Sequence, residues 1–277
     1  YTPNADAVVQ ILDFVLKASI VQKKNDVTSF AFYLSDDNVW VESFDSASGD
    51  DSSVDTTNTT ATFVNNTEAS KKYYSAIGVV DSDTTGYSTT STTYVLVKTF
   101  DFSASPKVVH YVTLTLTNNP GGSAYCDVVF TYTDSSTSNV EVINGGSGGQ
   151  TKTFYVANSP TLKVSKIEIY LKQSAGNTAS ISDTYVYGLD GNSYDLITTN
   201  LTSFSSGIKT IYVVASYRER ETASSISVEY SFDGATWNNG SLGEPIAVND
   251  TTGNLYLKLT INNVDLYGYA VIAMTNA

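Results

Sequence analysis

Acyl transfer through a Ser-His-Asp or Cys-His pair, and most zinc chemistry, requires an imidazole, and this chain has one histidine, His110, and one cysteine, Cys126. His110 falls in the run Val108, His110, Val112, Leu114, Leu116, where alternate residues share one strand face, so it is expected at the edge of an apolar core. Cys126 has no second cysteine to bridge and no nucleophile signature around it; a small buried strand residue is expected there. Glycoside hydrolysis needs only two carboxylates, but the acidic residues gather in polar stretches such as Asp45, Asp50, Asp51 and Asp55, which read as solvated loops. The expectation is a protein that is not an enzyme.

Binding chemistry has more candidates. Asp81-Ser-Asp83-Thr-Thr85-Gly86 opens like a calcium loop, with oxygen ligands at alternate positions before a glycine, although Thr92 stands where a bidentate Glu would close it. A polar turn is the default there, a structural calcium at Asp81 and Asp83 the alternative, and no other cofactor is expected. Trp40, Trp237 and Tyr230 are candidates for stacking against a sugar ring, and Tyr185-Val-Tyr187 and Tyr267-Gly-Tyr269 each put two rings on one strand face. Such rings also serve as a sandwich rim or a subunit contact. N-x-[ST] sequons stand at Asn58, Asn65, Asn200, Asn239 and Asn249, which would carry surface glycans on a glycosylating secretory route.

The elements that must hold these residues are mainly strands. Val8, Ile11, Leu12, Val15 and Ala18 have helical spacing within residues 5–21, with Asn4 as an N-cap, but the same Val- and Ile-rich segment also suits a terminal strand added to a neighbouring sheet edge. Val8, Val9, Ile11, Leu12, Phe14, Val15 and Leu16 are the assembly candidates in either case. From Val27 onward short Val/Thr/Tyr-rich runs of period two alternate with Ser, Asp, Asn and Gly clusters, the pattern of an all-β sandwich. The Gly-rich stretch 144–150 reads as an interdomain linker, or else a long hairpin tip. The resulting fold class is all-β: an N-terminal assembly segment over 1–24, a short helix or donor strand, then two tandem antiparallel sandwiches of jelly-roll or Ig-like type over 25–143 and 151–277.

Two local patterns add detail. Tyr33-x-x-Asp36-Asp37-x-x-Trp40, Tyr187-x-x-Asp190-Gly191-x-x-Tyr194 and Tyr230-x-x-Asp233-Gly234-x-x-Trp237 share one spacing, and each reads as a tight hairpin. Arg218-Glu219-Arg220-Glu221 puts both Arg on one strand face, suiting an intersubunit ion-pair ladder or a solvated edge.

Charge narrows the partners. With a net charge of -13 over 277 residues the chain would repel a phosphate backbone, so nucleic acid is not an expected partner. No apolar run reaches the roughly 18–20 residues of a membrane-spanning helix. Charged residues make up only 16%, so Ser, Thr, Asn and Tyr carry the surface, and few ion pairs would be lost in acid. The chain opens at Tyr1, which leads us to expect a removed secretion signal.

Thr/Ser/Asn/Tyr-rich strands, almost no His or Cys, and Asp-Gly turns together make the chain resemble the surface proteins of archaeal cells and their viruses, among them β-sandwich filament subunits and virion components. That resemblance implies an extracellular, cell-surface or virion location and a noncatalytic subunit of a homopolymeric assembly, joined by β-strand addition through its N-terminal segment. The alternative is a carbohydrate- or receptor-binding module of a surface or viral fibre.

Overall fold

The computed structural model describes residues 8–11, 14–19, 31–33, 39–42, 44, 53–66, 71–119, 122–157, 162–174, 176–201, 207–249 and 254–275. Among these residues the chain is strand and loop, with no helix. It divides into two compact units, unit 1 from Tyr1–Asn65, Lys72–Ala76 and Ser193–Ala277, and unit 2 from Asn66–Lys71 and Ile77–Asn192. Unit 2 is therefore an insertion in the sequence of unit 1. The expected tandem order, 25–143 followed by 151–277, gives way to a nested one.

In chain order, unit 1 begins with β1 (Val8–Ile11), β2 (Phe14–Ser19), β3 (Ala31–Tyr33), β4 (Val39–Glu42), β5 (Thr62–Asn66) and β6 (Lys71–Ser75). The inserted unit supplies β7 (Ile77–Asp83), β8 (Tyr87–Thr89), β9 (Val95–Asp101), β10 (Val109–Asn119) and β11 (Ala124–Tyr132). It continues with β12 (Thr137–Asn144), β13 (Gly148–Tyr155), β14 (Val164–Gln173) and β15 (Thr178–Leu189). Unit 1 resumes with β16 (Ser193–Ile197), β17 (Ile208–Glu219), β18 (Ser225–Ser231) and β19 (Asn238–Gly240). Its last strands are β20 (Pro245–Ala247), β21 (Tyr256–Asn262) and β22 (Val264–Thr275).

Unit 2 has one sheet in the order β13-β10-β15-β7, with β8 also on β15, and a second in the order β12-β11-β14-β9. Apart from β11 and β12, which stay in one sheet, successive strands from β8 onward switch sheets in the way that defines an eight-stranded jelly roll, β7 and β8 sharing the first position. Unit 1 repeats the scheme: β20-β17-β22-β6 answers the first sheet and β19-β18-β21-β16 the second, with β5 and β4 added on β6 and β22. Unit 2 thus enters between the first and second strands of the other roll.

Alternation explains both cores. In β10, Val112, Leu114 and Leu116 are buried, and in β11 Ala124, Cys126, Val128 and Phe130 are buried; the residues between them are half-exposed. Ile167, Ile169 and Leu171 of β14 close the core of unit 2. Leu196, Val213, Leu257, Leu259, Ile261 and Tyr269 lie at the heart of the separate core of unit 1. Each buried Val, Leu, Ile or Phe among them contributes about 1.5–3 kcal/mol, and period-two patterning is sufficient to choose the buried face.

Several expectations change. The 144–150 stretch is no interdomain linker: it joins β12 to β13 within unit 2, and since those strands lie in different sheets it is a crossover and not a hairpin tip. Its anchor is buried Asn144, whose amide donates to Leu116 O at 2.8 Å and Gly148 O at 2.9 Å and accepts from Gly146 N at 3.0 Å. Of the three Asp-Gly-type motifs, Tyr230–Trp237 turns β18 into β19, with Tyr230 opposite Asn238. Tyr187–Tyr194 instead passes from β15 of unit 2 to β16 of unit 1, and β3 and β4 around 34–38 join different sheets. Gly191 and Gly234 both take positive φ, 84° and 73°; the turn residue sets the local reversal but not the sheet that receives the next strand.

At the N-terminus β1, β2 and β3 form a sheet of their own. Val8 pairs with Lys17, Val9 with Leu16, Ile11 with Phe14, and Lys17 with Tyr33. These stretches are extended, as their β-branched content favours; Leu12, and the other parts of the helix expected over 5–21, lie outside the described residues.

Candidate functional site

The outer face of the sheet β13-β10-β15-β7 carries a strip of tyrosines. The register sets Tyr155, Tyr111 and Tyr187 side by side on three neighbouring strands, with Val79 of β7 next in the row. Tyr111 lies 4.7 Å from Tyr187, ring centre to ring centre, in a stacked arrangement, and 5.7 Å from Tyr155 edge to face. Tyr185 continues the strip 6.4 Å from Tyr187. All four rings are half-buried, and their hydroxyls make no hydrogen bond to a described residue.

The next rows are hydroxyl-bearing: Thr153, Thr113, Tyr185 and Ser82, then Thr151, Thr115 and Ser182. No charged residue occupies a paired position in these three rows. An exposed carboxylate, Asp183, does lie beside the third row, unpaired in the bulge of β15 and accepting from Ser182 Oγ at 3.0 Å. Burial raises the Tyr111 phenol to about 12, helped by Tyr187 and Tyr155, and raises Tyr155 as well, so both stay neutral donors.

Two backbone features build the strip. Between Thr113 and Thr115 the register of β15 slips by one residue, with Asp183 at φ 49° in the left-handed region that Asp tolerates better than most residues. Odd-numbered Ile181 faces the core before the bulge; after it, odd-numbered Tyr185 and Tyr187 face outward and Val186 takes the core position. Gly188 then lets β10 approach closely, for a Cβ there would lie 2.2 Å from Val108 O.

The outer face of the second sheet of unit 2 differs. It carries Glu141, Asp127, Lys172, Glu168 and Lys166, and the Lys172 ammonium sits 4.1 Å from the Tyr94 ring centre and 4.7 Å from that of Tyr125. The Tyr94 hydroxyl donates to Glu141, and burial followed by that bond holds its phenol well above its ordinary range. This charged surface is internally paired.

The other aromatic candidates do not converge. Trp237 stands over Lys258, 5.3 Å from its ammonium, and Lys258 pairs with Glu229. Tyr230 packs toward the unit 1 core beside Phe232, one strand position out of phase with Trp237. Trp40 lies in a different sheet, its backbone opposite Val271. Tyr269 is buried in the core, whereas Tyr267 packs on Tyr73.

Asp83 accepts from Thr85 N and Tyr87 OH and pairs with Lys98; the lysine first, then the Thr85 bonds, hold its carboxyl far below the usual range. Asp81 is exposed and caps Ser82 N. No group of three or more His, Cys, Asp or Glu side chains suited to a metal occurs among the described residues.

His110 and Cys126 lie in the unit 2 core region, buried on strands of opposite sheets, and burial pushes the Cys126 thiol far up, away from thiolate chemistry. Arg218 is buried and Arg220 half-buried. Arg220 Nε lies 3.6 Å from buried Asp265, which also accepts from Ser75 at 2.9 Å, while Arg218 stacks on Tyr267. The reading of these arginines missed Asp265, distant in sequence but opposite Arg218 in the ladder. A second buried group, Glu42, Ser53 and Tyr269, is linked by hydrogen bonds and had no sequence signal because its members come from distant segments. Asn58, Asn200, Asn239 and Asn249 are exposed, Asn65 is half-buried, and all five sequon asparagines belong to unit 1.

The fold and this face define an all-β protein of two nested jelly rolls, one bearing a ring-and-hydroxyl surface. No family model matches the chain, and no curated protein matches it in sequence. Among solved structures it is similar to a chain in the structure of infectious bursal disease virus, Gt strain, at 11% identity and TM-score 0.26, over 91% of this chain and 46% of that one. This chain thus spans about half the length of the viral one. It is also similar to the N-terminal CBM22-1–CBM22-2 tandem domain of Paenibacillus barcinonensis Xyn10C, at 11% identity and TM-score 0.27, over 92% and 99% of the two chains. Superpositions of this quality define neither fold nor function.

Proposed function

We propose that the chain is a noncatalytic structural subunit of an extracellular assembly, with unit 1 as the part that joins neighbouring copies and unit 2 as a module inserted in its sequence. The observation that carries this reading is the separate sheet β1-β2-β3. Among the described residues its ladder ends at β1 and β3 without joining any sheet of the two rolls. A sheet with free edges is a template for strand addition, and a second copy satisfies its open N–H and C=O groups. The nesting adds to this, because the inserted roll returns the chain to β16 and leaves the unit 1 scheme intact. Val8, Val9, Ile11, Phe14, Val15 and Leu16 are the strand residues of the joint. Removal of residues 1–24 tests it: the truncated chain keeps its β-sheet circular dichroism and loses self-association in sedimentation. A truncated chain that still polymerises refutes the reading.

A further inference from the structure

We infer that the strip Tyr155–Tyr111–Tyr187–Tyr185, with its threonine rows, is a binding site for a neutral oligosaccharide. Three features of the face converge on that ligand class. The rings supply apolar surfaces with a polar edge, the combination that meets the C–H face and the hydroxyls of a sugar together. Thr113, Thr115 and Thr153 add hydroxyls that both donate and accept, matching ligand groups that do the same. The paired positions are uncharged, although the opposite sheet of the same roll is studded with carboxylates and ammonium groups. An acidic glycan or a phosphate would find no cation at the paired positions and would meet the exposed carboxylate of Asp183, whereas an uncharged glycan has no charge to leave unpaired and can donate a hydroxyl to that carboxylate.

The strip is also a built feature. Tyr185 and Tyr187 reach the outer face only because the bulge at Asp183 changes the phase of β15, and bulges of this kind re-aim side chains. An uninterrupted strand would have sent both rings into the core. The site belongs to unit 2 and stands independently of the assembly reading, since a monomer would bind equally well.

The test is native affinity electrophoresis of the full chain, whose charge of -13 drives migration, through gels containing mannan, xylan, galactomannan or β-glucan. At least one of these retards the wild-type chain. Tyr185→Ala weakens retention about three- to tenfold, the effect of one aromatic contact. Tyr185→Phe keeps the ring and retains most of the binding, which separates stacking from a folding defect. Tyr94→Ala, on the opposite outer face, leaves retention unchanged. The proposal is overturned if none of the four polysaccharides retards the chain, or if Tyr185→Ala migrates as the wild type does. It is equally overturned if sedimentation shows the strip to be a protein contact, with Tyr185→Ala shifting the association state and no gel retarding the chain.

Discussion

Gly188 holds β10 and β15 together at the point where the tyrosine strip begins, and replacing it with alanine has a cost that follows from distances. The added Cβ would lie 2.2 Å from Val108 O, 3.2 Å from Val108 C and 3.3 Å from Val109 Cα. Carbon and oxygen approach to about 3.3–3.6 Å even in the close contacts between strands, so the backbones must separate by about 1 Å. No side chain can rotate away, because the atoms in the way are main chain. Separation stretches the bond from Leu189 N to Val108 O, now 3.1 Å, worth about 0.5–1.5 kcal/mol. Overpacking adds about 1–3 kcal/mol, and the reduced freedom of the unfolded chain returns about 0.5–1 kcal/mol. The net loss expected for Gly188→Ala is about 2–3 kcal/mol. With a urea slope of about 2 kcal/mol/M the unfolding midpoint falls by about 1 M. Gly86→Ala is the control: its Cβ meets only Ile181 O at 3.7 Å, and the midpoint moves by less than about 0.3 M. A Gly188→Ala midpoint within that same margin would show that β10 and β15 do not approach as described and would remove the basis for stacking Tyr111 on Tyr187.

Two further outcomes concern the bulge and acid. Asp183→Gly keeps the positive φ and leaves thermal stability near wild type, whereas Asp183→Val costs about 1–2 kcal/mol and lowers Tm by several degrees in calorimetry; equal Tm values would refute the left-handed assignment. Asp83 and Asp233 have carboxyls held low, the first chiefly by Lys98 and the second by the backbone N–H groups of Thr236 and Ala235, with Asp101 and Asp134 lowered by their Ser partners. A group whose folded pKa lies below its unfolded value stabilises the fold above the unfolded value, and loses that contribution as pH falls toward the folded one. Tm should therefore stay nearly flat from pH 7 to 5 and decline only below about pH 4. A collapse already complete at pH 5 would contradict these assignments.

The local facts of this fold were legible in the chain and the long-range ones were not. Alternation in Val112, Leu114 and Leu116 was enough to bury one face of β10 and to put His110 with them, because the period of a strand is a property of neighbouring residues. Tyr185 and Tyr187 were readable as sharing a face. Their join to Tyr111 and Tyr155 was not, since it rests on register between strands up to 76 residues apart and on one bulge residue. The nesting escaped for the same reason: nothing in composition at Ala76–Ile77 or Asn192–Ser193 marks a passage between units, while the glycines at 144–150 looked like a passage and are not one. Trp237 and Tyr230 bound one turn motif, yet the ladder sets Tyr230 opposite Asn238 and so puts the two rings out of phase.

Electron microscopy of the purified full chain beside the same chain lacking residues 1–24 addresses the proposed role without intermediaries. Ordered polymers or rings from the full chain, and dispersed particles from the shortened one, are the expected images. Identical polymers from both, or single particles from both, would contradict a joint built from the N-terminal strands.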